Sequence, residues 1–183
     1  MVINIHEKET QAKTSSAWDD ILNFQNQLSD DEQILQSSVK SYCRDKLLPR
    51  IVSDNRNENF DRSIFTEMGK LGILGSYLNG YGCAGSNFVS YGLIAREIER
   101  IDSAYRSIMS VQTSLVMLPI YKFGSEDQKQ EYLPRLASGE LIGCFGLTEP
   151  DAGSDPSSMK TNAVKVRGGY VCLLYTSDAA DEC

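Results

Sequence analysis

Apolar residues recur at helical spacing over most of residues 29–139, which predicts a bundle of roughly five helices. The first begins at the capping box Ser29-Asp-Asp-Glu32, and we expect it to end before Pro49. Asp61 has the side chain and position of a cap for the second helix, and Gly72 supplies its stop signal. These boundaries leave a polar link, rich in asparagine, between the first two helices.

The same signals divide the rest of the bundle. A third helix is predicted from about Asn87 to Ile101, and Ser103 can cap a fourth that has to stop by Pro119. A second capping box, Ser125-Glu-Asp-Gln128, opens a fifth helix that Gly139 closes. The helical periodicity ends at this point.

The pattern changes after Gly139. The apolar run from Leu141 to Leu147 predicts a buried strand, and a polar loop rich in turn residues follows it. Met159 to Val166 has an extended pattern, and Arg167-Gly-Gly-Tyr170 is typical of a hairpin turn into another strand. We therefore expect a mainly α chain, in which a helical domain is followed by the opening of a β domain.

A glycine motif between the second and third helices allows two interpretations. Gly80-Tyr-Gly-Cys-Ala-Gly85 satisfies Gly-x-Gly-x-x-Gly, and Asp102 stands close to the position of a ribose-binding acid. In a dinucleotide-binding fold that acid ends a second strand, whereas Asp102 directly follows a helical pattern. A loop that connects two helices is the favoured interpretation, and a dinucleotide site is the alternative.

The polar loop after Leu147 has the residue types of a ligand-binding loop. Gly153 lets the backbone approach a ligand closely, and the hydroxyls of Thr148 and Ser154 suit phosphate or carbonyl oxygens. Pro150 and Pro156 stiffen the loop at both ends. From spacing alone, a tight connection between two strands is an equal alternative.

The residues from Cys144 to Pro156, Cys-Phe-Gly-Leu-Thr-Glu-Pro-Asp-Ala-Gly-Ser-Asp-Pro, resemble the flavin-binding signature of the acyl-CoA dehydrogenases, and of the glutaryl-CoA dehydrogenases most of all. The resemblance extends from about Trp18 to Val171 and includes the segment from Tyr105 to Val116. It implies an N-terminal all-α domain over residues 18–140. Residues 141–171 would then be the first strands of a middle β-barrel domain, which is truncated here.

The resemblance also implies FAD as the cofactor. Leu147 and Thr148 would hydrogen-bond the flavin ring system, and Ser154 would lie near the pyrophosphate or the substrate. The residues implied to bind the cofactor are Phe145, Gly146, Leu147, Thr148, Gly153 and Ser154. The catalytic glutamate of the family belongs to a C-terminal helical domain that the 183 residues do not contain, so we expect an inactive fragment without a catalytic residue. Glu149 is not assigned as the base.

Arg106 begins a row of polar residues on the fourth helix. Arg106, Ser110 and Ser114 are spaced i, i+4, and a single cation beside small hydroxyls can receive a carboxylate through two hydrogen bonds. From the residues alone, a structural ion pair of Arg106 with Asp102 is the default. The family resemblance instead implies that Arg106 and Ser107, together with Ser154, contact the substrate.

The implied reaction is the oxidative decarboxylation of glutaryl-CoA to crotonyl-CoA in a homotetramer that passes electrons to an electron-transfer flavoprotein. A general short-chain acyl-CoA dehydrogenase would share the flavin loop without needing Arg106. A non-catalytic helical binding module would need neither loop nor flavin. Among the remaining residues, Glu97, Glu99 and Arg100 are interpreted as solvated surface, and Cys144 as core.

Composition narrows the classes of function. The net charge is −7 and no lysine and arginine cluster is long enough to follow a phosphate backbone, which argues against a nucleic-acid partner. The five cysteines form no Cys-x-x-Cys pair and His6 is the only histidine, so a metal site is poorly supported. No apolar run reaches the length of a membrane-spanning helix, and no signal or transit peptide is evident. We expect a cytoplasmic protein, or a matrix protein in a eukaryote.

Both ends of the chain differ from the rest. Residues 1–17 are polar and aperiodic, which predicts a loose N-terminal extension. From Cys172 to Cys183 the family resemblance stops, and the segment resembles a translated sequencing adaptor. A natural but divergent C-terminus is the alternative to this foreign tail.

Overall fold

The computed structural model describes residues 22–173, so the expectations for residues 1–17 and for most of the tail at 172–183 lie outside the described part. Seven α-helices and one two-stranded sheet make up this part, with π-helical segments at Cys43–Leu47 and Val111–Met117. The α-helices are α1 (Asp30–Tyr42), α2 (Leu48–Arg56), α3 (Ser63–Lys70), α4 (Phe88–Glu99), α5 (Ser103–Ser110), α6 (Leu118–Phe123) and α7 (Glu126–Ala137). The strands are β1 (Asn162–Val166) and β2 (Gly169–Leu173), which agrees with the predicted mainly α chain and its late hairpin.

Local capping fixes the starts of the helices. Ser29 and Ser125 both form complete capping boxes, which confirms the predicted starts of α1 and α7. The Asp61 side chain accepts a hydrogen bond from the Ser63 N–H at 2.8 Å, at the start of α3. The start of α5 differs by one residue from the prediction, because Asp102, and not Ser103, accepts from the Ala104 N–H at 2.7 Å.

Two prolines do not end helices as the sequence predicted. Pro49 and Pro119 are each the second residue of a new α-helix that continues directly from a π-helical segment. Each proline closely follows a π-helical segment, whose wider turn interrupts the regular i→i−4 hydrogen-bond ladder that a proline would otherwise break. The helical path therefore runs unbroken through residues 30–56 and 103–123.

The buried core lies between the helices in two clusters. Helix α1 packs along α4. In the larger cluster, the apolar faces of these two helices join those of α3 and α5. Its fully buried members include Leu47, Ile64, Met68, Ile98 and Met109. The smaller cluster joins α7 to the π segment around Leu78, Met117, Leu133 and Leu136. No helix within residues 22–173 is both long and apolar enough to span a membrane.

The glycine motif is a loop between α3 and α4, as the favoured interpretation expected. Gly80, Gly82 and Gly85 all have positive φ angles, a conformation that glycine adopts without steric cost. No strand precedes this motif within the described residues, and Asp102 caps α5. The alternative of a dinucleotide-binding fold is therefore wrong.

The segment from Leu141 to Leu147 is not the buried strand that its apolar run predicted. It is irregular, and Ile142, Cys144, Phe145 and Leu147 are exposed, which also corrects the placement of Cys144 in the core. A strand requires a partner strand for its backbone groups, and within residues 22–173 none lies beside this segment. The later hairpin does form: Val166 pairs with Gly169 across the predicted turn, where Gly168 has a φ of 87°.

Candidate functional site

The cofactor loop, defined here as residues 143–154, is attached to the helical bundle by a buried glutamine. Gln112 is 1% exposed and its side-chain oxygen accepts from the Gly143 N–H at 3.0 Å. Its amide nitrogen donates to the backbone carbonyls of Leu136 at 3.0 Å and Leu141 at 2.8 Å. A Cβ on Gly143 would lie 2.4 Å from Cγ1 of Val116, so a larger residue would fit only if Val116 shifted. The start of the loop is thus fixed on the π segment Val111–Met117.

The loop presents the residues that the sequence assigned to cofactor binding. No hydrogen bond within the described part of the chain uses the backbone N–H groups of residues 144–148. A Cβ on Gly153 would meet no atom within 4 Å, so its lack of a side chain is not required by packing in this chain. All six residues that the sequence assigned to cofactor binding are exposed: Phe145, Gly146, Leu147, Thr148, Gly153 and Ser154. Free backbone donors, hydroxyls and apolar side chains together fit a flat ligand with an apolar face and anionic or carbonyl oxygens.

A tight turn divides the loop. The backbone groups of Glu149 and Ala152 hydrogen-bond each other in both directions, at 3.3 and 3.0 Å. The Glu149 side chain is buried and accepts from the backbone N–H groups of Lys160 at 2.7 Å and Thr161 at 2.8 Å. The Lys160 N–H, followed by the Thr161 side chain, holds the pKa of the Glu149 carboxyl below its ordinary value. Both oxygens of the Glu149 carboxylate are therefore used as structural acceptors.

Arg106 makes an ion pair, but not with the residue that the sequence suggested. Its Nε donates to Glu99 at 2.7 Å, and Nη1 reaches the Ser110 hydroxyl at 3.4 Å. The Ser103 hydroxyl and then Arg106 hold the pKa of Glu99 below its ordinary value. Asp102 is committed to the cap of α5, so Glu99 replaces it as the partner.

The predicted row of polar residues from Arg106 to Ser114 is only partly present. Arg106 and Ser110 are in contact, whereas the Ser114 hydroxyl bonds the phenols of Tyr77 at 3.2 Å and Tyr91 at 3.1 Å. Ser114 lies in the π segment, where the spacing of side chains differs from that of an α-helix. Ser114 is therefore part of the structural frame of the bundle.

An open apolar groove of about 510 Å³ joins α5 to the cofactor loop. Ser107 lines it from α5, and Gly143 lines it from the start of the loop. The other lining residues are Phe65, Ala104, Ile108 and Val111. The structure therefore brings Ser107 and the loop together, while Arg106 and Ser154 are not among the residues of this groove.

One assignment on α4 is wrong. Glu97 was interpreted as solvated surface, but it is 2% exposed and accepts from Gln36 and Arg100, each at 3.0 Å. Its position in the apolar stripe of α4, four residues after Leu93 and three after Ile94, was the signal that could have identified it. Gln112 was missed for the same reason, because it is a polar residue in an otherwise apolar helical pattern.

Comparison with known proteins gives consistent matches. Residues 29–140 match the family described as acyl-CoA dehydrogenase, N-terminal domain. An acyl-CoA dehydrogenase of Bacillus subtilis is 38% identical over 145 residues, which is 79% of this chain and 38% of that protein. A short-chain-specific acyl-CoA dehydrogenase of Clostridium acetobutylicum is 33% identical, with coverage of 79% and 38%.

A solved structure is similar over the same region. The glutaryl-CoA dehydrogenase of Mycobacterium smegmatis in complex with FADH2 is 44% identical and superimposes with a TM-score of 0.79. The match covers 83% of this chain and 39% of that one, so the chain spans about two fifths of the length of its relatives. The helical domain and these matches agree, and the chain belongs to the acyl-CoA dehydrogenase family.

Proposed function

We propose that the whole enzyme to which this chain contributes is an FAD-dependent acyl-CoA dehydrogenase that acts on glutaryl-CoA. FAD held by the loop at residues 143–154 would supply the hydride acceptor that dehydrogenation between the α and β carbons requires. The product would be crotonyl-CoA after decarboxylation, and the electrons would pass to an electron-transfer flavoprotein. The base is assigned to a region outside these residues, and the assembly is proposed to be a homotetramer.

The chain's own contribution to the cofactor site is the loop at residues 143–154. Phe145 and Leu147 offer exposed apolar surface to a ring system, and the unbonded N–H groups at residues 144–148 offer donors to its carbonyl oxygens. Thr148 and Ser154 add hydroxyls, and the open space at Gly153 allows close approach of a phosphate. The M. smegmatis relative, solved with FADH2, supports this assignment.

The observation that carries the substrate proposal is the shared groove of Ser107 and Gly143, with Arg106 next to Ser107 on α5. Within the described residues the guanidinium of Arg106 uses Nε and Nη1, whereas it has five N–H donors. The remaining donors can receive the terminal carboxylate of a glutaryl group. The 44% identity to a glutaryl-CoA dehydrogenase supports the same substrate.

A general short-chain acyl-CoA dehydrogenase is the second candidate. The ion pair of Arg106 with Glu99 favours it, because a guanidinium that already has a carboxylate partner need not bind a second one. The Clostridium relative, which is short-chain specific, is also consistent with it.

The test is the response of the full-length enzyme to replacement of Arg106 by alanine. Purified enzyme is expected to show a flavin spectrum that glutaryl-CoA bleaches. Arg106→Ala should lower kcat/KM for glutaryl-CoA by about 100-fold, because truncating one partner of a bound charge pair costs about 2–5 kcal/mol. The value for butyryl-CoA, which has no terminal carboxylate, should change little.

Arg44→Ala is the matched control. Arg44 is an exposed arginine of the π segment Cys43–Leu47 that pairs with its neighbour Asp45. The Arg44→Ala substitution should leave kcat/KM unchanged for both glutaryl-CoA and butyryl-CoA. An Arg106→Ala enzyme that keeps its preference for glutaryl-CoA would overturn the substrate proposal in favour of the short-chain candidate. Full-length protein that binds no FAD would overturn the enzyme proposal as a whole.

A further inference from the structure

The carboxylate of Glu149 connects two parts of the chain that are distant in sequence. It is 3% exposed, and it bonds the N–H groups of Lys160 and Thr161, the two residues immediately before β1. Both distances, 2.7 and 2.8 Å, are those of charge-assisted hydrogen bonds. The pair of bonds, called here the Glu149 anchor, ties the cofactor loop to the hairpin.

The position of the Glu149 anchor determines what it can control. Residues 145–148 precede Glu149 directly, and Gly153 and Ser154 follow the turn that its backbone closes with Ala152. Both groups of candidate cofactor contacts are therefore attached to the same fixed point. A loop that is already ordered loses less conformational entropy when a ligand binds to it, so the anchor favours binding.

The turn contains a second carboxylate, Asp151, which bonds a side chain and not the backbone N–H groups before β1. Asp151 is exposed, and within residues 22–173 its side chain bonds only that of Lys160, at 2.9 Å. An exposed ion pair of this kind contributes little to local order. Asp151 therefore provides a matched control at a distance of two residues.

We propose that Glu149 is a positioning residue, whose carboxylate holds the cofactor loop against the start of β1 so that both halves of the loop are ordered before the cofactor binds. The part of this inference that concerns cofactor affinity rests on the proposed function. The part that concerns loop order rests on the geometry alone.

The first test is amide hydrogen exchange in the 183-residue chain, which requires no cofactor. Glu149→Ala should speed exchange at the Lys160 and Thr161 amides at least tenfold, because each loses the carboxylate oxygen of Glu149 that accepts from it. Glu149→Gln retains one carbonyl oxygen and should protect only one of the two amides. Asp151→Asn should leave both rates unchanged. Unchanged rates in Glu149→Ala would overturn the assignment of the Glu149 anchor.

The second test measures FAD binding to the full-length enzyme, with flavin fluorescence as the readout. Glu149→Ala should weaken FAD binding at least tenfold through slower association, with the thermal midpoint of the apoprotein helices unchanged. Asp151→Asn should stay within twofold of the wild type. Equal affinity of Glu149→Ala and wild type would overturn the positioning role. If the wild type itself bound no FAD, the proposed function would fail, whereas the exchange result would still decide whether Glu149 orders the loop.

Discussion

Replacing Glu97 by alanine removes the most deeply buried carboxylate of the described bundle. Its two oxygens accept from Gln36 on α1 and Arg100 at the end of α4, each at 3.0 Å, and the Nε of Arg96 lies 3.5 Å away. The side chain thus joins two helices that pack along each other. The substitution leaves the donors in place without an acceptor.

The expected loss of stability depends on whether each donor that loses its acceptor, Arg100 or Gln36, can reach water instead. Removing one partner of a buried ion pair costs about 3–5 kcal/mol. Arg100 is 53% exposed and can return to water, whereas Gln36 is 9% exposed and its unpaired amide costs about 1–3 kcal/mol. We therefore expect the free energy of unfolding to fall by about 3 kcal/mol, at the low end of the range for buried pairs.

Urea unfolding of the 183-residue chain, followed by circular dichroism, measures this loss. With a slope of about 2 kcal/mol per molar urea, the midpoint should fall by about 1.5 M. Glu97→Gln keeps the volume and one acceptor, so about half of the shift is expected. Glu99→Ala is the control on the same helix: its carboxylate is exposed, and the midpoint should barely move. If Glu97→Ala shifted the midpoint no more than Glu99→Ala, the argument that Glu97 holds α1 to α4 would be wrong.

Three further predictions concern single contacts. Gly143→Ala would place a Cβ 2.4 Å from Val116, and the same urea titration should show a loss of about 1–3 kcal/mol; unchanged stability would contradict the close contact. Ser125→Ala removes the cap of α7 and should cost about 1 kcal/mol, seen as a lower thermal midpoint. The hydrogen bond from Arg50 lowers the pKa of Asp61 to about 2, below the ordinary value of 3.8. Because the folded pKa is the lower one, this stabilisation is present above pH 3.8 and is lost as the pH falls through about 2; Asp61→Asn should flatten that part of the stability curve.

The sequence predicted those features that depend on a few neighbouring residues. The capping boxes at Ser29 and Ser125 form as expected, since each satisfies backbone N–H groups within four residues. Gly72, Gly139 and Gly168 all have positive φ angles where stops or turns were predicted. Such signals require no knowledge of the rest of the fold.

The failures arise where contacts distant in sequence decide the outcome. The apolar run at residues 141–147 looked like a strand, but a strand depends on a partner that the run itself does not specify. Glu97 looked like surface, but Gln36, 61 positions away, supplies the donor that allows its burial. Pro119 is a different case, because the cause is local: the π segment just before it carries the helix past the proline.

The π segment Val111–Met117 explains how one helix can serve both the core and the candidate site. Three consecutive polar side chains leave it toward different parts of the chain: Gln112 to the cofactor loop, Thr113 to the Gly75 N–H at 3.0 Å, and Ser114 to two tyrosines. Gln112 and Thr113 are almost fully buried. Losing either hydrogen bond would therefore leave a buried polar group unpaired, which lowers stability. The loop and the groove on α5 are therefore positioned by the same continuous helix. For this reason the geometry of the candidate site depends on the bundle core as much as on the loop sequence itself.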